Sequence, residues 1–234
     1  MHQTEHARVL DAEGAHIGAG GADAGDDIEM SLAVHAGEAV LVHCAHRARS
    51  AVLADACAGL VPPSSGTIRF LGRDWAGLDD RHTQALRARI GRVFLRAPWI
   101  DHLDVATNVL LPLLHHTRES TATLLREAAR LGRDFGLPGL PHGRIADCDP
   151  GDLQRVACVR AFLGRPHLVI LEHPTVGVPQ LVAPLVDAIR AVRQRGAAVL
   201  WVTPSEAIWG DPALPFDRRL RLAGRLLDDT GTAP

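Results

Sequence analysis

The chain has no lysine: all 25 of its basic residues are arginine. No position can therefore supply the ammonium group of a phosphate-binding loop of the G-x-x-x-x-G-K-[ST] type. There is no tyrosine either, so no phenol ring is on hand to stack against a base. No apolar run approaches the ~20 residues of a membrane-spanning helix. The opening MHQTEHARVL lacks the apolar segment of a secretory signal. The four cysteines, Cys44, Cys57, Cys148 and Cys158, show no C-x-x-C spacing and read as buried, reduced thiols of a cytosolic protein. A net charge of −2 and a pI near 6.7 give no electrostatic reason to expect nucleic acid as a partner.

What is present is a core-forming α/β pattern. The 234 residues, 47% of them hydrophobic, suffice for one large α/β domain or two small ones. Strands are expected at 7–10, 28–34 and 39–42. The second alternates Ile28, Met30, Leu32 and Val34; the third is an unbroken apolar run. The stretch 18–25, GAGGADAG, reads as a flexible turn region. A helix is expected at 49–60, a turn at 61–66, a strand at 67–70, a turn at 72–74, a short helix at 83–89 and a strand at 90–95. Residues 101–165 read as mostly helical, with apolar faces at 105–114, 121–135 and 152–163. The run 167–171, HLVIL, has the pattern of a fully buried parallel strand. A helix at 181–194, a buried strand at 197–202 and a terminal hairpin at 219–222 and 224–227 follow. Strands alternating with helices imply a parallel α/β sheet, with the helical middle inserted into it.

The arrangement centres on residues 43–60, HCAHRARSAVLADACAGL. A buried strand enters this stretch and a helix leaves it, the place of a phosphate-binding loop. Against the motif, His43, Cys44-Ala45-His46-Arg47, Ala48, Arg49 and Ser50 keep only the final serine.

Several further segments carry a resemblance. They are Gly37-Glu38, the run 59–72 that fits G-L-x-x-P-x-S-G-x-I-x-x-x-G, Arg89-Ile90-Gly91-Arg92-Val93-Phe94, Asn108-Val109-Leu110-Leu111-Pro112-Leu113, Gln154 to Ala161, and Pro174-Thr175. In this order and spacing the chain resembles the nucleotide-binding subunit of an ABC transporter over nearly its whole length. The resemblance implies a P-loop NTPase, RecA-like α/β core with an antiparallel β subdomain and an inserted helical subdomain at about 96–160. It implies ATP and Mg²⁺ as cofactors, an integral-membrane permease as partner, a second ABC ATPase subunit or a second copy as dimer mate, and a place on the cytoplasmic face of the cell membrane. The segment 108–119, NVLLPLLHHTRE, is similar to the matching stretch of lipid-transport subunits of the MCE-associated kind.

The family's functional positions fall here on other residues. His43, His46 and Ala48 stand where glycines let backbone N–H groups reach phosphate. Arg47 and Ala51 complete the loop positions. Arg49 replaces the lysine with a larger planar fork, and Ser50 keeps the Mg²⁺ hydroxyl. Leu95 takes the Q-loop position. Cys148-Asp149-Pro150-Gly151-Asp152 takes the signature L-S-G-G-[QE]. Asp149 would repel a phosphate there, and Pro150 has no N–H to offer it. Glu172 takes the second Mg²⁺ position, His173 that of the catalytic glutamate, Pro179 the D-loop aspartate and Pro204 the switch histidine. No aromatic near 15–22 replaces the adenine-stacking tyrosine.

These substitutions argue for negligible hydrolysis by the chain alone, while Arg47, Arg49 and the helix start could still attract an anion. A non-catalytic scaffold that keeps the ABC fold and a weakly active homodimeric ATPase are the alternatives. His115-His116 and the arginines Arg87, Arg89, Arg92 and Arg96 read as solvated. His43, Cys44 and His46 could by composition also hold a transition metal. Trp99 falls where the family receives the permease, and reads equally as exposed or buried.

Overall fold

The computed structural model describes residues 7–18, 27–114 and 116–229. The expected turn at 18–25 and His115 lie largely or wholly outside these. Among the described residues ten strands are β1 (Arg8–Ile17), β2 (Ile28–His35), β3 (Ala39–His43), β4 (Ser65–Phe70), β5 (Arg73–Asp74), β6 (Ile90–Val93), β7 (Leu168–Glu172), β8 (Ala198–Thr203), β9 (Arg218–Ala223) and β10 (Leu226–Asp229). The helices are α1 (Arg47–Cys57), α2 (Asp80–Arg87), α3 (Val105–Leu114), α4 (Thr121–Asp134), α5 (Pro150–Phe162), α6 (Val182–Arg193) and α7 (Glu206–Trp209).

The described strands form one sheet in the order β5-β4-β1-β2-β10-β9-β3-β8-β7-β6. Its β9-β3-β8-β7-β6 part is parallel. The β5-β4-β1-β2 part is antiparallel. The two halves meet where β10 runs parallel to β2 through Leu226 and Glu29. The parallel strands are sandwiched. Ala39 and Leu41 of β3 join Val169, Leu171, Val199 and Trp201 beneath α3 to α6. Their alternate neighbours Val40 and Val42 join Leu168, Ile170, Leu200 and Val202 beneath α1 and the antiparallel half. A strand buried on both faces needs apolar residues along its length, as β7 has up to Leu171 and β8 up to Val202.

Most expected elements stand within a few residues of their places. The exceptions have local causes. β1 runs far past 10, because an irregularity between Ala12 and Ala15, at Gly14 with φ +53°, interrupts the alternation while keeping Leu10, Ala12, Ala15 and Ile17 buried. The turn at 72–74 includes the short strand β5, paired with Arg69 and Phe70. α1 starts at Arg47, two residues early. α5 starts at Pro150, also two early. Asp149 caps it by accepting the Gly151 N–H at 2.7 Å, and proline at the first position loses no helical bond. The helical middle is broken at 136–149, where a single turn at Ile145–Asp147 is the only helical piece.

Two contacts fix this middle against the sheet. Gly91 of β6 lies so close to α5 that an added Cβ would sit 1.7 Å from Ala161 O. Buried Asn108 accepts from Ile100 N–H at 2.9 Å and donates to the carbonyls of Ile100, Leu103 and Asp104, which ties the 94–104 loop to α3.

Candidate nucleotide site

β3 ends at His43, and residues 44–46 link it to α1. His43 is buried. Its Nδ1 lies 3.0 Å from Arg221 Nη1 and its Nε2 3.4 Å from Glu206 Oε1. Arg221 in turn grips Glu206 with two bonds and lies over the Trp209 ring at 4.3 Å. His43, expected at a glycine position, is the buried end of a charged cluster that holds α7. Cys44 Sγ donates to His46 O at 3.3 Å. His46, Arg47 and Ala48 are exposed, and Arg49 and Ala51 are half-buried.

Ser50 is fully buried in α1. Its backbone N–H donates to His46 O at 3.0 Å, and its hydroxyl donates to the same carbonyl at 3.2 Å. The hydroxyl oxygen also lies 2.8 Å from Nε2 of His173. With the serine proton on His46 O, the histidine Nε2 must carry the hydrogen. That tautomer leaves Nδ1, which is buried and has no partner, as a bare acceptor and not an orphaned N–H. Burial, helped by the Arg47 charge, depresses the His173 pKa to about 4. His173 is also held at φ +47°, a left-handed conformation in which histidine is uncommon but enriched. A neutral imidazole whose Nε2 already donates is poorly placed as a general base.

Glu172, the last residue of β7, is 2% exposed. Its carboxylate does not face a vacancy for a metal. Arg92 Nε of β6 lies 2.6 Å from Oε1, and Arg92 Nη1 lies 2.7 Å from Asp55 of α1. The Leu95 backbone also bonds to the Glu172 carboxylate. Burial pushes the Glu172 pKa up, and Arg92 opposes that shift. The expected Mg²⁺ pair therefore does not fit the ion. One oxygen is tied to an imidazole and a carbonyl, and the other is satisfied by a guanidinium. The expectation that Arg92 is solvated is corrected at the same point. Its neighbour strand carries a buried carboxylate that would otherwise stand alone.

The signature positions Asp149 and Pro150 are exposed at the start of α5, and Gly151 is half-buried. Gln154 Nε2 donates to Pro174 O at 2.9 Å, which ties α5 to the segment after His173. Pro204, half-buried, follows β8 directly. Thr203 pairs with His43 across β3 and β8, so the switch position lies beside the loop. Ser50, His173, Glu172 and Leu95 are thus brought together, and His43 and Pro204 lie alongside.

Other expectations change. Cys148 is not core but half-buried ahead of α5, with Sγ donating to Arg144 O at 3.4 Å. Burial drives the Cys57 and Cys158 thiols up to about 12, as expected of inert core cysteines. His116 is exposed just past the end of α3, not on the helix. Trp99 is half-buried, with the Arg160 guanidinium 4.4 Å from its ring centroid. No group of three His, Cys, Asp or Glu side chains suited to a metal occurs among the described residues, so His43, Cys44 and His46 do not form one. Sequence reasoning missed Asp55, Glu206 and Arg221, and it misplaced Arg92. The available signal was a charge at Arg92 in an apolar strand adjacent to another that ends in Glu172.

A family model described as ABC transporter matches residues 29–176. A macrolide export ATP-binding/permease protein, MacB, from Salmonella choleraesuis is 32% identical over 75% of this chain and 27% of its own length. An Fe(3+) ions import ATP-binding protein, FbpC, from Streptomyces coelicolor is 32% identical over 71% of this chain and 45% of its own. The chain thus spans about a quarter of MacB and under half of FbpC. The dimeric structure of MJ0796, a bacterial ABC transporter cassette, superposes with a TM-score of 0.79 at 18% identity, covering 96% of this chain and 100% of that one. With the strand order, the loop-helix junction and the family match in agreement, the chain belongs to the ABC transporter family.

Proposed function

We propose that the chain is an ATP-binding-cassette subunit of an ABC transporter that does not itself hydrolyse ATP. It docks on an integral-membrane permease at the cytoplasmic face of the cell membrane and pairs with a second ATPase subunit. The observation that carries this reading is the Arg92 guanidinium 2.6 Å from Glu172, in the place where a carboxylate would serve a metal. The Ser50–His173 bond supports it independently at the other Mg²⁺ position. Loss of one preorganised charge-stabilising contact typically removes ~3–4 kcal/mol of transition-state stabilisation. Losses within one site are not additive, but here the P-loop, metal, base and signature positions have all changed. The whole chain acts as one nucleotide-binding domain, with 96–160 as its helical subdomain. No described helix is long and apolar enough to cross a membrane.

The test is calorimetric titration of the purified chain with Mg-ATP, beside an intact ABC subunit, with phosphate release followed on the same samples. No turnover is expected. Heat without turnover means a retained, non-hydrolytic site, and no heat means a role in docking or assembly. Turnover above the blank overturns the proposal.

A further inference from the structure

A cavity of about 360 Å³ opens at the seam between β6 and the helical middle. Its size is that of a small-ligand site. The inner wall is aliphatic: Val109 of α3, Leu124 of α4 and Leu163 after α5 are all buried. The rim is basic, with Arg89 and Arg165 exposed on it. The His167 N–H donates to Arg89 O at 2.8 Å, which sets the approach to β7 beside the start of β6 and draws both arginines to one rim. Glu119, also exposed, is the one carboxylate in the wall among the described residues. Arg160 of α5 lines the cavity as well. Its guanidinium lies over the Trp99 ring, its Nη1 donates to Pro98 O at a long 3.4 Å, and its buried Nη2 has no partner. Burial lowers its pKa to about 10, with no carboxylate opposing the shift. Buried Arg92 has Glu172 and Asp55 to offset the same cost; Arg160 has no such pair.

We infer that this cavity binds a small amphipathic anion, a carboxylate or phosphate head on a short alkyl chain. The head sits on Arg89 and Arg165 at the rim, and the chain lies on Val109, Leu113, Leu124 and Leu163. Guanidinium forks take either head group in paired, charge-assisted bonds. Arg160 needs no direct bond to take part. It stands in a poorly solvated wall, where its charge acts on an anion across several ångströms far more strongly than it would in water. An apolar wall alone suits an alcohol, and a basic rim alone suits inorganic phosphate; the two together select a molecule with both parts. Trp99, at the position where the family receives the permease, does not line the cavity. A ligand held there touches Arg89 at the edge of the sheet and α3, α4 and α5 of the helical middle together. It therefore braces the seam that Gly91 and Ala161 already make tight. The inference is independent of whether the chain hydrolyses ATP.

The experiment is calorimetric titration of the full, nucleotide-free chain with octanoate and with octyl phosphate. Acetate, inorganic phosphate and octanol serve as the head-only and tail-only controls. Saturable binding at one site is expected, and the tighter of the two probes names the head group. The three controls should bind about tenfold more weakly or worse. Raising salt from about 50 mM to about 500 mM should weaken the probes, and a bound probe should raise the melting temperature. Arg89→Gln with Arg165→Gln, both at exposed positions, should weaken binding about tenfold. Ala85→Trp, from the exposed side of α2 that lines the cavity, should fill the mouth and abolish binding. Melting curves without ligand check that each variant is folded; should one fail, the other decides. No saturable binding of either probe overturns the inference. So does octanol binding as tightly as octanoate, or inorganic phosphate as tightly as octyl phosphate. A folded variant that binds the probe as wild type does overturns it as well.

Discussion

Ser50 and His173, 123 positions apart in sequence, meet at 2.8 Å through a hydroxyl and an imidazole nitrogen. In the family that this chain belongs to, these positions are the ones expected to serve a metal and an attacking water. Here the two side chains satisfy each other in the interior.

That contact makes stability depend on pH in a definite window. His173 is depressed from 6.5 to about 4 in the fold, chiefly by burial. Above 6.5 the folded and unfolded chains both hold it neutral, and its contribution is complete. As pH falls below 6.5 the unfolded chain takes up a proton that the folded chain refuses, so stability drops, and the loss is finished near pH 4. Melting curves at pH 7 and pH 4.5 should differ more for wild type than for His173→Asn, which cannot titrate and tolerates the left-handed backbone. Equal differences would remove His173 from the account.

The Arg92–Glu172 pair should behave as a buried ion pair. Arg92→Met leaves a carboxylate with 1% side-chain exposure and should cost ~3–5 kcal/mol in urea unfolding. Arg92→Met with Glu172→Gln should cost clearly less than the arginine change alone, because no buried charge is left unpaired; Asp55, 33% exposed, stays in reach of water. Additive costs in the double-mutant cycle would mean that the two side chains do not depend on each other.

Gly91 tests the seam between sheet and helical middle. A methyl group there has only the Ala161 backbone to meet, at 1.7 Å. Gly91→Ala should therefore destabilise by ~3 kcal/mol, the upper end of overpacking costs, with the same denaturant slope. An unchanged midpoint would show that β6 and α5 can separate without penalty.

The parallel half of the fold was legible because residues buried on both faces must be apolar throughout. Val40, Ile170 and Leu200 therefore announce their strands. β1 was legible only in part, since the bulge at Gly14 shifts Ala15 and Ile17 out of alternation. At the site, residue identity located the altered positions, because a serine or histidine at a motif position is visible in one dimension. What these residues do instead in the fold was not visible. Arg92 and Glu172 belong to different strands, 80 positions apart, and only their pairing in the sheet shows that the arginine is an internal counter-ion. Arg221 and Glu206 escaped for the same reason, as they lie on β9 and α7 and their common partner His43 on β3.

The last prediction concerns repair. His173→Glu restores the residue type of the expected base, yet phosphate release with Mg-ATP should stay at the wild-type blank. The new carboxylate would stand next to Glu172, which remains held by Arg92, itself paired with Asp55. Arg49 would still lack the compact charge of an ammonium, and no N–H could come from Pro150. The substitution also places a glutamate at φ +47°, where it is less at ease than histidine, and removes the imidazole donor from Ser50. A loss of about 1 kcal/mol in stability is expected from the two together. Turnover in this single variant would mean that the Arg92 pair opens readily and that the base alone was missing. A silent variant, still folded by its melting curve, places the block at the metal and phosphate positions.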